Sequence, residues 1–152
     1  SKNTQKGSSQ HYFTGGWFEH YTYHLIRQRL NLSHGYVETG LKINNFQEQH
    51  RAGNDNELDV VFTLNNELHV IEAKVSLGIK KVKLGNIEKA MFKMSALNKN
   101  FGLRSHSWLY TLSDLSSQPP TFITDLSRKM KVLGIRGIID RKKILNKLIQ
   151  IL

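Results

Sequence analysis

The chain contains no cysteine. Disulfides and thiolate zinc sites are therefore excluded, and the composition fits a cytoplasmic protein. Long hydrophobic runs are also missing: no stretch approaches the length of a membrane span. The N-terminus is polar and lacks the pattern of a signal peptide. Internal repeats and low-complexity tracts are absent. Acidic residues are scarce, with 12 Asp and Glu against 22 Lys and Arg, which leaves a net charge of +10. Such a balance points to a polyanionic partner, nucleic acid before anionic lipid, with a merely solvated basic surface as the alternative. What remains is a soluble, globular chain of 152 residues with 39% hydrophobic residues, enough for one domain around one core.

The stretch from Asn56 to Lys74 organises the rest. Two β-rich runs flank Asn65-Asn66, a pair suited to a two-residue hairpin turn because Asn tolerates positive φ. That turn sets Leu64 opposite Glu67, Asp59 opposite Glu72 and Glu57 opposite Lys74. Side chains alternate between faces with period two. One face then carries Glu57, Asp59, Val61, Val70, Glu72 and Lys74. The other carries Leu58, Val60, Phe62, Ile71 and Ala73 and reads as core, with His69 on that side near the turn. Two carboxylates about 5 Å apart repel by roughly 3 kcal/mol at an effective dielectric of 20. A hard divalent cation removes that cost, since carboxylate oxygens are its preferred ligands. A half-solvated strand also alternates charged and apolar residues. The conjunction of Asp, hairpin and Glu-x-Lys on one face distinguishes this stretch from such a strand.

Along the chain, residues 1–14 read as a flexible arm. Gly15 to Leu30 reads as a helix with Phe18, Leu25 and Leu30 on its apolar face. Glu19 falls at the edge of that face near the helix N-terminus. It reads either as a carboxylate favoured by the helix dipole or as a further acidic group beside the hairpin site. His20 and His24 have the four-residue spacing of a metal pair, but no third ligand accompanies them, so they read as solvent-facing. Tyr36 to Phe46 reads as a strand, with Val37, Leu41, Ile43 and Phe46 as apolar points, and Gln47 to Asn56 as a loop. After the hairpin, Val75 to Gly85 is a loop whose Lys80, Lys81 and Lys83 form either a solvated edge or, preferably, a grip on phosphates. Asn86 to Asn100 reads as a helix with Ile87, Ala90, Met91, Met94 and Leu97 as its stripe and Gly102 as its cap. Ser107 to Leu112 reads as a strand. Pro119-Pro120 opens a helix to Leu133, capped by Gly134. Ile135 to Ile139 is a short strand, and Asp140 caps a closing helix through Leu152.

The predicted order is αβββαβαβα, an α/β chain. Asp59 with Glu72-Ala73-Lys74 resembles the signature of PD-(D/E)xK nucleases, although Leu58 stands where their name has proline. A helix, a three-stranded meander, a helix and a strand form the restriction-endonuclease-like core (αβββαβ), here with additional C-terminal helices and a short strand. The resemblance extends to Gly15-Gly16-Trp17-Phe18-Glu19, Asn56-Glu57-Leu58-Asp59-Val60-Val61-Phe62 and Val70-Ile71-Glu72-Ala73-Lys74. These look like the nuclease domain of CRISPR-associated ancillary effectors, which couple a CARF sensor to a PD-(D/E)xK domain. The likeness runs from about Gly15 to the C-terminus. Ala73 stands where that family leads one to expect Cys, and it faces the core.

The resemblance implies a nuclease, often single-strand-directed, using Mg²⁺ or Mn²⁺ and acting as a homodimer on DNA or RNA in nucleic-acid defence. Asp59 and Glu72 would hold the metal, with the Ala73 carbonyl as a further ligand. Lys74 would orient water or stabilise developing charge, Glu19 would help hold the metal or its waters, and Glu57 would pair with Lys74. A Holliday-junction-resolvase-like endonuclease and a non-catalytic nucleic-acid-binding module are the alternatives. The nuclease pattern occupies residues 15–152 and leaves no room for a sensor, so the chain is expected to be an excised domain or a stand-alone homologue.

Overall fold

The computed structural model describes residues 15–43, 56–78, 81–99, 101–102 and 104–145. The element order is α1 (Trp17–Arg29), β1 (Val37–Ile43), β2 (Asn56–Leu64), β3 (Glu67–Lys74), α2 (Leu84–Asn98), β4 (Ser105–Thr111), α3 (Pro120–Leu133), β5 (Ile135–Ile139) and α4 (Arg141–Leu145). This is the expected α/β order. The arm at 1–14, Phe46, Lys80 and the closing helix beyond Leu145 fall outside the described residues.

The five strands form one sheet in the order β1-β2-β3-β4-β5. The first two pairings are antiparallel and the last two parallel. The β2–β3 hairpin turns on Asn65 and Asn66, with φ of 53° and 62°. Positive φ at both central residues is the requirement of a turn whose twist matches that of the strands. Leu64 pairs with Glu67 and Val60 with Ile71, the register expected from the sequence.

Helices cover both faces. Phe18 and Ile26 of α1 pack with Val60, Phe62, Ile71, Ala73, Trp108 and Tyr110. Ile87, Met91 and Met94 of α2 and Leu126 of α3 pack with Leu109, Ile135 and Ile138 on the opposite side. Each such side chain contributes about 1.5–3 kcal/mol on burial. A smaller cluster joins Val61 and Val70 to Leu97 and takes in Leu58. Leu58 thus leaves the group that alternation assigned to it. On the charged face, Val61 and Val70 are buried against Leu97 of α2, while Thr63 at the turn stays exposed.

Several boundaries and faces differ from expectation. The buried line of α1 is Phe18, Thr22 and Ile26. Leu25 and Leu30 are only partly buried, so the stripe is rotated from the expected one. Leu41 is 45% exposed, whereas Val37 on the same strand is buried with Phe18 and Ile26 of α1. β4 begins two residues earlier than predicted and takes in His106. Helix α2 ends at Asn98, with Lys99 rather than Gly102 as its C-cap. Gly102 instead supplies its positive φ, 85°, to the turn that follows. Elsewhere the local signals hold. Gly134 caps α3 in the left-handed region with φ 69°. Asp140 Oδ1 accepts the amide hydrogen of Lys143 at 3.1 Å, an N-cap bond. No helix among the described residues is long and apolar enough to cross a membrane.

Candidate active site

Strand β3 is antiparallel to β2 and parallel to β4, so its C-terminal end is where the two halves of the sheet meet. Ligands of open α/β sheets bind beyond the carboxyl ends of strands. Glu72 and Lys74 stand at this end of β3, and Asp59 lies across from them on β2. The Asp59 and Glu72 residues are 7% and 3% exposed. Asp59 Oδ2 accepts the Ala73 amide hydrogen at 2.8 Å. Thr39 Oγ1 donates to the Asp59 carbonyl at 2.8 Å, which fixes the backbone from the β1 side.

Both oxygens of Glu72 are engaged. Lys74 Nζ lies 2.6 Å from Oε1. Lys93 Nζ, from α2, lies 2.7 Å from Oε2 and 4.0 Å from Asp59 Oδ1. Burial, and then the Glu72 charge, push the Asp59 carboxyl up to about 6. The Ala73 amide, Lys74 and Lys93 work against that rise. For Lys74, burial favours the neutral amine. The Glu72 charge, its hydrogen bond to Glu72, and then Asp59 and Glu19 outweigh this, and hold the ammonium above its ordinary range.

A cleft of about 390 Å³ opens beside these groups, lined among others by Glu72, Lys74, Ser76, Asn86, Lys89 and Lys93. The loop after β3 is held in place at its floor. Leu77 N–H donates to Ser113 Oγ at 2.9 Å, and Asn86 Nδ2 donates to the Leu77 carbonyl at 2.9 Å. At Gly78 a Cβ would lie 1.9 Å from the Lys81 carbonyl oxygen, so the loop closes there only with glycine.

The predicted residues distribute as follows. Asp59, Glu72 and Lys74 meet on one face. Glu19 is half-buried on α1, near enough for its charge to act on Lys74. Glu57 sits opposite Lys42 in the β1–β2 register. Lys74 pairs with Glu72 on its own strand rather than with Glu57, because residues two apart on a strand share a face. Lys81 and Lys83 are exposed and do not line the cleft, and Lys80 lies outside the described residues. His20 and His24 are exposed. Lys89 and Lys93 were not singled out by the sequence reading. Their signal was present: they are four apart on α2, and Lys93 adjoins the buried Met94, at the edge of the apolar stripe.

The donors suit a hard divalent cation. Two buried carboxylates repel one another, and in this structure a lysine ammonium already supplies the positive charge between them. Among the described residues no three His, Cys, Asp or Glu gather as a fuller metal cage. Two carboxylates with remaining positions left to water and phosphate is the manner in which Mg²⁺ is commonly held.

Residues 7–150 match the family described as "Card1-like, endonuclease domain". No curated protein sequence matches the chain. Among solved structures, protein VC1899 from Vibrio cholerae superposes with a TM-score of 0.66 at 20% identity, over 95% of this chain and 35% of that one. Can2 from Sulfobacillus thermosulfidooxidans, in complex with cyclic tetra-adenylate, superposes with a TM-score of 0.63 at 22% identity, over 97% of this chain and 39% of that one. The chain therefore has the restriction-endonuclease-like fold of these proteins and spans well under half the length of each.

Proposed function

Because the chain belongs to the Card1-like endonuclease domain family, we propose that its lysine-lined cleft hydrolyses phosphodiester bonds of DNA or RNA with Mg²⁺ or Mn²⁺. The observation that carries this reading is the buried Asp59–Glu72 pair, bracketed by Lys74 and Lys93 at the end of β3. Asp59 and Glu72 would hold the cation, with the Ala73 carbonyl as a further ligand. Bound there, the cation supplies an activated water and neutralises charge on the phosphate. Asp59 is held in position by the Ala73 amide. Lys74 keeps its proton beside Glu72, so it acts as a fixed ammonium that orients the attacking water or stabilises developing charge. Glu19, close to Lys74, helps hold water around the site. Lys89 lines the cleft where a phosphate enters, and Lys81 and Lys83 extend the basic surface beyond it.

The +10 charge and the basic cleft favour a polyanionic substrate, and the family resemblance favours a single strand. The working unit is proposed as a homodimer, which light scattering tests, and its role as nucleic-acid defence of the CRISPR type, on the family resemblance. End-labelled single-stranded and double-stranded DNA and RNA, and a four-way junction, are incubated with Mg²⁺, Mn²⁺ or EDTA. Cleavage with either metal and none in EDTA supports the reading. Cleavage confined to the junction supports a resolvase-like enzyme, and binding without cleavage supports a non-catalytic module.

A further inference from the structure

We propose that Lys93 is an exchangeable counter-ion: it neutralises Glu72 and Asp59 in the metal-free site and passes to a substrate phosphate when the carboxylates take a divalent cation. The inference rests on the metal-dependent reading above and adds a role for a residue on a different element.

The two lysines on Glu72 are not equivalent. Lys74 stands two residues along the same strand, on the face it shares with Glu72, and touches only Oε1 of that carboxylate, away from Asp59 Oδ1. Lys93 reaches across from α2 on a flexible four-carbon stem, which can be redirected by rotation alone. Its ammonium touches Glu72 Oε2 at 2.7 Å and stands 4.0 Å from Asp59 Oδ1. A cation shared by those two oxygens would lie within about 2.6 Å of each. It would therefore claim the place of the ammonium, and two positive charges cannot share it.

Lys93 also stands on the open side of the pair. Its side chain is 35% exposed, against 4% for Glu72 and 10% for Asp59. A cation arriving through the cleft meets Lys93 before it meets the carboxylates. Lys89, one helical turn earlier, lines the same cleft. An ammonium released from Glu72 thus remains beside a second lysine, at the position where a phosphate bridging the two would be bound. Lys93 fixes the carboxylates without metal, and it couples metal binding to substrate binding because only the metal frees it.

The test measures Mn²⁺ affinity without nucleic acid, by electron paramagnetic resonance of free Mn²⁺, for wild type, Lys93→Met, Lys93→Gln and Lys89→Met. Removal of the competing ammonium is expected to tighten Mn²⁺ binding three- to tenfold in both Lys93 variants, whereas Lys89→Met stays within twofold of wild type. Fluorescence anisotropy with labelled single-stranded DNA, in Ca²⁺ and in EDTA, gives the second readout: wild type gains affinity with Ca²⁺, and the Lys93 variants lose most of that gain. Unchanged or weaker Mn²⁺ binding in folded Lys93 variants overturns the proposal while leaving the metal site standing. Absence of Mn²⁺ binding in wild type overturns the metal-dependent reading as well.

Discussion

Asp59 Oδ2 accepts the amide hydrogen of Ala73 at 2.8 Å. One carboxylate of the site is thereby tied to the backbone between the other, Glu72, and Lys74. Loss of charge and loss of the acceptor at Asp59 must have different consequences. Asp59→Asn removes the repulsion from Glu72 and keeps an oxygen for the Ala73 amide. It should leave the metal-free protein as stable as wild type or more stable by up to about 1 kcal/mol. Asp59→Ala leaves a buried N–H unpaired and should cost about 1–3 kcal/mol. Urea unfolding in EDTA separates the two. In thermal melts, Asp59→Asn should also lose the rise that Mn²⁺ gives wild type, since stabilisation by a ligand requires its site.

The same carboxyl gives the stability a pH signature. Its pKa rises from 3.8 to about 6 on folding, through burial first and Glu72 second. The folded state therefore binds the proton more tightly, and Asp59 destabilises it progressively as pH rises from about 4 to about 6. The penalty is complete above about pH 6. The advantage of Asp59→Asn over wild type should grow across that window and then level off. His69 acts in the opposite sense over a similar range. Burial, and then His106, lower it from 6.5 to about 4, so its contribution is lost as pH falls through that interval. The stability cost of His69→Gln should accordingly shrink on acidification. Unfolding curves at pH 4, 5, 6 and 7 check both.

Gly137 lies under the Trp108 ring. A Cβ there would stand 2.8 Å from Trp108 Cζ3. The indole is held from the other side, where its Nε1 donates to His69 Nδ1 at 3.2 Å and His69 stacks on Phe62 at 4.6 Å. Because the indole is rigid and tied through Nε1, Gly137→Ala should destabilise by about 1–3 kcal/mol, measured by denaturant midpoint.

Binding to nucleic acid should weaken steeply with salt, because each phosphate contact made by Lys or Arg releases counterions. Lys89→Ala removes one contact on this reading and should lower the slope of log affinity against log salt by about one. Anisotropy titrations from low to physiological salt, in EDTA, measure that slope.

The hairpin was legible because its determinants are local. Asn65-Asn66 fixes the turn, and period-two alternation then puts Asp59, Glu72 and Lys74 on one face. The cap at Asp140, the left-handed Gly134 and the α2 stripe are equally local. What the sequence did not reveal depends on contacts between distant elements. Lys93 enters the site because α2 crosses over β3, and no pattern within α2 states how far a lysine at the stripe's edge will lean. Val61 and Val70 are buried for the same reason. Thr22 replaces Leu25 on the buried line of α1 because the sheet beneath, and not hydrophobicity alone, sets the helix's rotation. Glu57 was matched to Lys74 by register, whereas a shared face on one strand gives Lys74 a nearer partner in Glu72.

The central claim, that the end of β3 is the nuclease centre, is tested most directly by cleavage with single-residue variants. Glu72→Gln keeps the shape of the residue beside Lys74 and Lys93 and removes its charge, and Lys74→Ala removes the fixed ammonium. Wild type and both variants, each shown folded by circular dichroism, are incubated with the labelled substrates in Mg²⁺ and Mn²⁺. The account predicts cleavage by wild type and rates lower by about two orders of magnitude or more in each variant. Undiminished cleavage by both folded variants would contradict it.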